Sequence, residues 1–200
     1  MTGDSSTAKH LYVVLSRSST ALSKTIRFLK GVEYTHAALA LDARLEYMFS
    51  FGRRRAHNPF VGCFKRERIG DALYRPYSEL PGVVLEITVS AAQYKSAVAL
   101  IESFLLDGHM YGYNYLGLAG NLWGWSRMAG MRFFCSEFVY HVLHKIGVSD
   151  LGKPRGLVSP QDLMRIKSRV IFQGNLKEYG CPAKRAAAPR LFRFGSWDAV

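Results

Sequence analysis

The chain has 200 residues, 48% hydrophobic and 21% charged, enough for one domain with a substantial core. Its apolar runs are strand-sized, which excludes a membrane-spanning segment, and the polar start from Met1 to His10 lacks the apolar stretch of a secretory signal, so the expected compartment is the cytoplasm. The net charge of +12, from 27 basic and 15 acidic residues, favours contact with an anionic surface or polymer. The basic residues are not gathered on one helix, and no specific nucleic-acid motif accompanies them.

In chain order, Leu11 to Leu15 reads as a short apolar strand. Ser18 and Ser19 are caps for a helix to about Lys30, stopped by Gly31. Tyr34 to Leu41 reads as a strand, Asp42-Ala43-Arg44 as a tight turn, and Leu45 to Phe51 as a returning strand whose faces differ by alternation. Gly52 to Pro59 is basic and turn-rich, an expected exposed loop, before a further strand from Phe60 to Ile69. Val83 to Val89 is a strand, and Ser90 caps a helix from Ala91 to about Leu106 with Tyr94, Val98, Ile101 and Leu105 on one side. Gly108 to Arg132 is rich in Gly, Tyr and Trp and reads as a packed irregular segment. A helix then starts at Cys135 and runs to about Lys145, Ser159-Pro160 opens a short helix through Lys167, and Val170 to Phe172 closes the sheet. The expected organisation is a flexible segment 1–10, one α+β domain over 11–180 and a basic, loosely held tail over 181–200, with no internal repeat.

The phrase Phe133-Phe134-Cys135-Ser136-Glu137-Phe138-Val139 carries the chemistry. Phe138, Val139, Val142, Leu143 and Ile146 form one buried helical stripe, and Cys135 lies on it. A thiol at a helix start meets unpaired N–H groups and the positive end of the helix dipole, and both favour the nucleophilic thiolate. Ser136 and Glu137 read as first-turn stabilisers. The cysteines Cys63, Cys135 and Cys181 are odd in number and have no paired spacing, which argues against a disulfide framework and a zinc site.

A free cysteine alone is more often a buried core residue, so the argument turns on a base. Of the six histidines, His10 and His57 fall in peripheral positions, His109 follows a helix, and His141 and His144 lie further along the cysteine's own helix. His36 sits inside an apolar strand with Ala38 and Ala40 on its face, leaving room above the ring. A strand histidine facing a helix-capping cysteine is the pair that a thiol nucleophile requires: imidazole takes the proton and returns it to the leaving group.

The order of a His-bearing strand, hairpin, helix, Tyr113-Asn114-Tyr115, Cys-Ser-Glu-Phe-Val and Ser159-Pro160-Gln161-Asp162-Leu163 resembles the circularly permuted branch of the NlpC-like, papain-fold superfamily, which includes relatives of lecithin:retinol acyltransferase. The resemblance spans roughly Leu11 to Tyr179, and its sharpest parts are the His36 strand and the Cys135 phrase. It implies a small antiparallel sheet packed against helices, with Cys135 as nucleophile, His36 as base, and no metal or organic cofactor. It also implies a third polar group on the strand after the histidine. Here the chain departs from the pattern, because the usual place, twelve residues on, holds Met48. Folding the hairpin about Ala43 brings Ser50 opposite His36, with Glu46 and Met48 on the same face. Ser50 is the nearer by this count and Glu46 the stronger acceptor.

The expected function is thiol hydrolysis of an amide through an acyl-enzyme, on a peptide or other amide substrate. Lipid ester hydrolysis or acyl transfer is an alternative. So is a non-catalytic module holding an anionic ligand in the same groove.

Overall fold

The computed structural model of the protein describes residues 8–17, 33–55, 58–71, 74–75, 77–106, 112–113 and 132–179. The chain runs through β1 (Lys9–Ser16), β2 (His36–Ala40), β3 (Met48–Arg55), β4 (Asn58–Glu67), β5 (Pro81–Val89), α1 (Ala91–Leu106), β6 (Gly112–Tyr113), β7 (Arg132–Phe133), α2 (Cys135–Lys145), 3-10 turns at Arg155–Leu157 and Pro160–Arg165, β8 (Arg169–Asn175) and α3 (Leu176–Tyr179). Six strands form one sheet in the order β4-β3-β2-β1-β5-β8, and every neighbouring pair is antiparallel. The chain is thus α+β, as its alternation and helical periodicity imply.

β1 is central because both its faces are apolar. Leu11, Val13 and Leu15 point to one side, Tyr12 and Val14 to the other, and all five are buried. The first side is the main core, shared with Ala37, Leu39, Phe49, Phe51, Val83 and Leu85 and covered by α1 and α2. Phe51, Phe64, Phe104 and Phe138 fill its centre: Phe64 and Phe138 lie 5.0 Å apart by ring centroid, Phe104 meets Phe138 edge-on at 5.3 Å, and Phe51 lies 5.9 Å from Phe138. The second side carries Tyr12, Val14, Ala38, Ala40 and Met48 and is closed by Tyr74, Leu80 and Leu176. Gly82 belongs to this packing: a Cβ there would lie 2.4 Å from the Leu15 carbonyl oxygen and 2.5 Å from Leu176 Cδ1.

Helix α1 has a reciprocal cap, in which Gln93 N–H donates to Ser90 Oγ and Ser90 N–H donates to Gln93 Oε1. Ala97, Ile101 and Phe104 are its buried stripe, with Tyr94, Val98 and Leu105 half-buried beside it. Gln93 Nε2 also donates to the Ile146 carbonyl at the end of α2, so the two helices are tied at that end.

Three sequence expectations shift. The turn after β2 is wider than Asp42-Ala43-Arg44: β3 starts at Met48, and the Asp42 carboxylate accepts the N–H groups of Arg44, Glu46 and Tyr47. Leu45 within it adopts φ 56°, a conformation that the sequence does not advertise with glycine or asparagine. Gly52 to Pro59 is for the most part strand, because β3 continues to Arg55 and β4 begins at Asn58; the charges hid a long hairpin. The element after Ser159 is a short 3-10 turn, capped by Ser159 Oγ accepting the Asp162 N–H. The expected helix at 18–30, most of the segment 108–132 and the tail 181–200 lie outside the described residues. Among the described residues, no helix is long and apolar enough to cross a membrane.

Candidate active site

Phe134 is extended and the helix begins at Cys135, so the cysteine occupies the first helical position. Two neighbours set that start. The Phe134 N–H donates to Glu137 Oε2 at 2.6 Å, and the Ser136 hydroxyl donates to the Val158 carbonyl at 2.6 Å. Glu137 is the first-turn acid that the sequence suggests; burial raises its pKa, while the Phe134 N–H and the Arg155 guanidinium pull it back down. Ser136 plays a different part from that expected, fastening the helix to the segment before the Pro160 turn. Cys135 is buried, 6% exposed, one turn before Phe138 and Val139 of the stripe that packs α2 onto the sheet. In this first turn the Cys135 N–H has no intrahelical acceptor.

His36 is the first residue of β2, held by the Thr35 N–H donating to the Ser16 carbonyl on β1. The Cys135 side chain is among the influences on the His36 ring, raising its pKa by a hydrogen bond and by charge. The first residue of a strand thus meets the first residue of a helix. His36 Nε2 is engaged by Glu67 Oε2 at 2.9 Å. Glu67 is 1% exposed. The Tyr74 hydroxyl donates to the same Oε2 at 2.8 Å, and Lys65 Nζ stands 3.4 Å from Oε1.

Burial disfavours charge on both members of the His36–Glu67 pair, but their mutual attraction outweighs it. Burial alone would lower the His36 pKa; the Glu67 carboxylate and the neighbouring sulfur raise it, to about 10. Burial alone would raise the Glu67 pKa; His36, Lys65 and Tyr74 lower it, to about 2. The pair is therefore imidazolium and carboxylate at neutral pH. Burial and the Glu67 charge push the Tyr74 phenol well above its ordinary value, so it remains a donor.

The third polar group is neither of those expected from hairpin counting. The wider turn pairs Ala40 with Met48 and Leu39 with Phe49, which moves Ser50 level with Ala38 rather than His36. Ser50 is fully buried on the expected face, yet its hydroxyl has no hydrogen-bond partner. Glu46 lies in the turn before β3, its N–H bound by Asp42 and its carbonyl accepting from Arg66 Nε. Glu67 comes instead from β4, one strand further out. The β3–β4 register, Met48 with Glu67 and Ser50 with Lys65, puts both charged residues on the face of Met48 and Ser50. Nothing local marks Glu67, a lone acid in the run Lys65-Arg66-Glu67-Arg68. The signal that could have found it is Gly52, a glycine inside a strand pattern, which points to close approach by another group. A Cβ at Gly52 would sit 3.0 Å from Glu67 Oε1 and 3.2 Å from Lys65 Cε.

The other described histidines, His10, His141 and His144, make different contacts. His10 lies in β1 with Nδ1 3.9 Å from Glu86, and His141 meets Phe104 edge-on. His57, His109, Cys181, Trp123, Trp125 and Asn114-Tyr115 lie outside the described residues, as does the side chain of Tyr113. Among the described residues, no three His, Cys, Asp or Glu side chains are grouped to hold a metal ion. Comparison of the chain with protein-family profiles, curated proteins and solved structures finds no match.

Proposed function

We propose that the protein is a cysteine hydrolase of the permuted papain-like, NlpC-like type, cleaving an amide through an acyl-enzyme. The observation that carries this reading is the buried His36–Glu67 pair, 2.9 Å apart, whose imidazole also feels the Cys135 side chain at the start of a helix. An imidazole beside a cysteine is the base that a sulfur nucleophile requires. In the proposed cycle the thiolate attacks the carbonyl carbon, and the developing oxyanion takes the Cys135 N–H as donor. The imidazolium passes its proton to the departing amine as the C–N bond breaks. Water then attacks the thioester, gives a proton to the neutral imidazole, and the C–S bond breaks to restore the thiolate and release the acid. Glu67 holds the ring and stabilises its cationic form throughout. The net charge of +12 favours acidic substrates through faster encounter.

The test is a mass-spectrometric search for an acyl adduct on Cys135 with panels of activated amides and activated esters, beside alkylation rates with iodoacetamide across pH. An adduct confined to Cys135, absent in Cys135→Ala and slow to form in His36→Ala, is expected, with turnover of the amides. Adducts that form only with esters redirect the reading to a lipid ester hydrolase or acyltransferase. A Cys135 thiol that reacts like an ordinary cysteine removes the enzymatic reading and leaves a binding module.

A further inference from the structure

Glu67 Oε2 serves two donors at once, the imidazole at 2.9 Å and the Tyr74 hydroxyl at 2.8 Å. Tyr74 comes from the connection between β4 and β5, an element that contributes nothing to the strand ladder of the site. It is 4% exposed and its ring packs in the second core with Met48, Ala38 and Ala40. Its backbone is fixed too, because the Tyr74 N–H donates to the Asp71 carbonyl and the Asp71 carboxylate accepts the Arg68 N–H. A carboxylate on a flexible glutamate stem has several rotamers, and burial of the His36 pair requires one of them.

We propose that Tyr74 is a positioning residue for the Cys135–His36 pair, acting through Glu67: its phenol fixes the carboxylate so that Oε2 faces His36 Nε2. The inference rests on the cysteine-hydrolase reading for its catalytic meaning, while its geometric content is tested separately. Among the described residues, the charged and titratable groups around Glu67 are His36 from β2, Lys65 from β4, Tyr74 from the connection and, acting on the His36 ring, Cys135 from α2. Lys65 reaches the opposite oxygen, Oε1, so it does not duplicate the tyrosine. Gly52 closes the remaining side without filling it. The phenol is thus the group that holds the oxygen used by the imidazole. Because burial and the Glu67 charge keep that phenol protonated, it acts as a donor across the working pH range.

The experiment compares the full chain with Tyr74→Phe, which keeps the ring and deletes the donor. Two quantities are read: the solvent-exchange rate of the His36 imidazole N–H by NMR, assigned by its absence in His36→Asn, and the alkylation rate of Cys135. Loss of one hydrogen bond to a charged group is expected to speed exchange about tenfold and to slow alkylation several-fold, with the fold retained. An unchanged exchange rate in folded Tyr74→Phe overturns the proposal. Should Tyr74→Phe not fold, 4-aminophenylalanine at position 74 keeps a weaker donor in the same place; faster exchange than in the parent supports the proposal, and an unchanged rate overturns it. If the parent Cys135 reacts like an ordinary thiol, the hydrolase reading fails, while the exchange result still decides whether Tyr74 orders the pair.

Discussion

Glu67 reaches His36 across a strand that lies between them. The carboxylate belongs to β4 and the imidazole to β2, yet Oε2 and Nε2 are 2.9 Å apart. The crossing is possible because Gly52 of β3 presents no side chain where the carboxylate passes. The interaction is therefore made over the sheet surface, by residues that the strand ladder does not pair directly.

Gly52→Ala tests the crossing. The added methyl meets Glu67 Oε1 and Lys65 Cε inside normal contact distance, and the lysine chain yields more easily than the doubly bonded carboxylate. Stability is expected to fall by about 1 kcal/mol and Cys135 alkylation to slow several-fold. Gly70→Ala, where a Cβ meets nothing within 4 Å, is the control and should alter neither.

Glu67→Gln removes the counter-charge of a buried imidazolium. Breaking a buried pair by deleting one partner costs about 3 kcal/mol. Denaturant melts should show that loss, and alkylation of Cys135 at neutral pH should fall about hundredfold. A variant with the parent's alkylation rate would separate Glu67 from the reactivity of the thiol.

The dependence of stability on pH has two opposed histidine contributions. His36 has a folded pKa raised from 6.5 to about 10, so its contribution is complete below 6.5 and is lost as pH rises through about 10. His141 is pushed down to about 4 by burial and by Arg155, so its contribution is complete above 6.5 and is lost as pH falls through about 4. Glu67, lowered from 4.5 to about 2, contributes fully above 4.5 and loses that contribution as pH falls from there through about 2. Thermal melts across pH should show an alkaline decline that disappears in His36→Asn and an acid decline that weakens in His141→Gln. The same declines in both variants would assign them to other groups.

Ser136→Ala separates fold from chemistry. It leaves the buried Val158 carbonyl without its 2.6 Å donor, which costs about 1–3 kcal/mol. Because the Ser136 hydroxyl is engaged by the Val158 carbonyl, alkylation of Cys135 in the folded variant should stay within about twofold of the parent. A collapse of reactivity at full stability would show that the hydroxyl serves the thiol directly.

The parts of the site legible in the sequence are those written in local periodicity. Cys135 follows from a helical stripe and an abrupt helix start, and His36 from a polar ring in an apolar strand. The third group depended on hairpin register, which no periodicity records: the Asp42 cap and the φ 56° of Leu45 widen the turn and move the pairing by two residues. Glu67 was doubly hidden, since it required the register of a second hairpin whose basic residues resembled a solvated loop. Tyr74 has no pattern of its own, because its place comes from a connection folding back over the second core.

His36, Glu67 and Tyr74 all belong to one run of sequential hairpins and their following turn, whereas Cys135 arrives after β5 and α1. The two halves of the site therefore differ in when they can be made. Pairings within the run close short loops, while docking α2 closes a far longer one. During synthesis the imidazole and its carboxylate emerge first, and the thiol follows, meeting them only when its helix seats on the finished sheet. A chain caught part-way therefore holds the His36–Glu67 pair without Cys135, so the cluster as a whole is completed by the last long-range docking step.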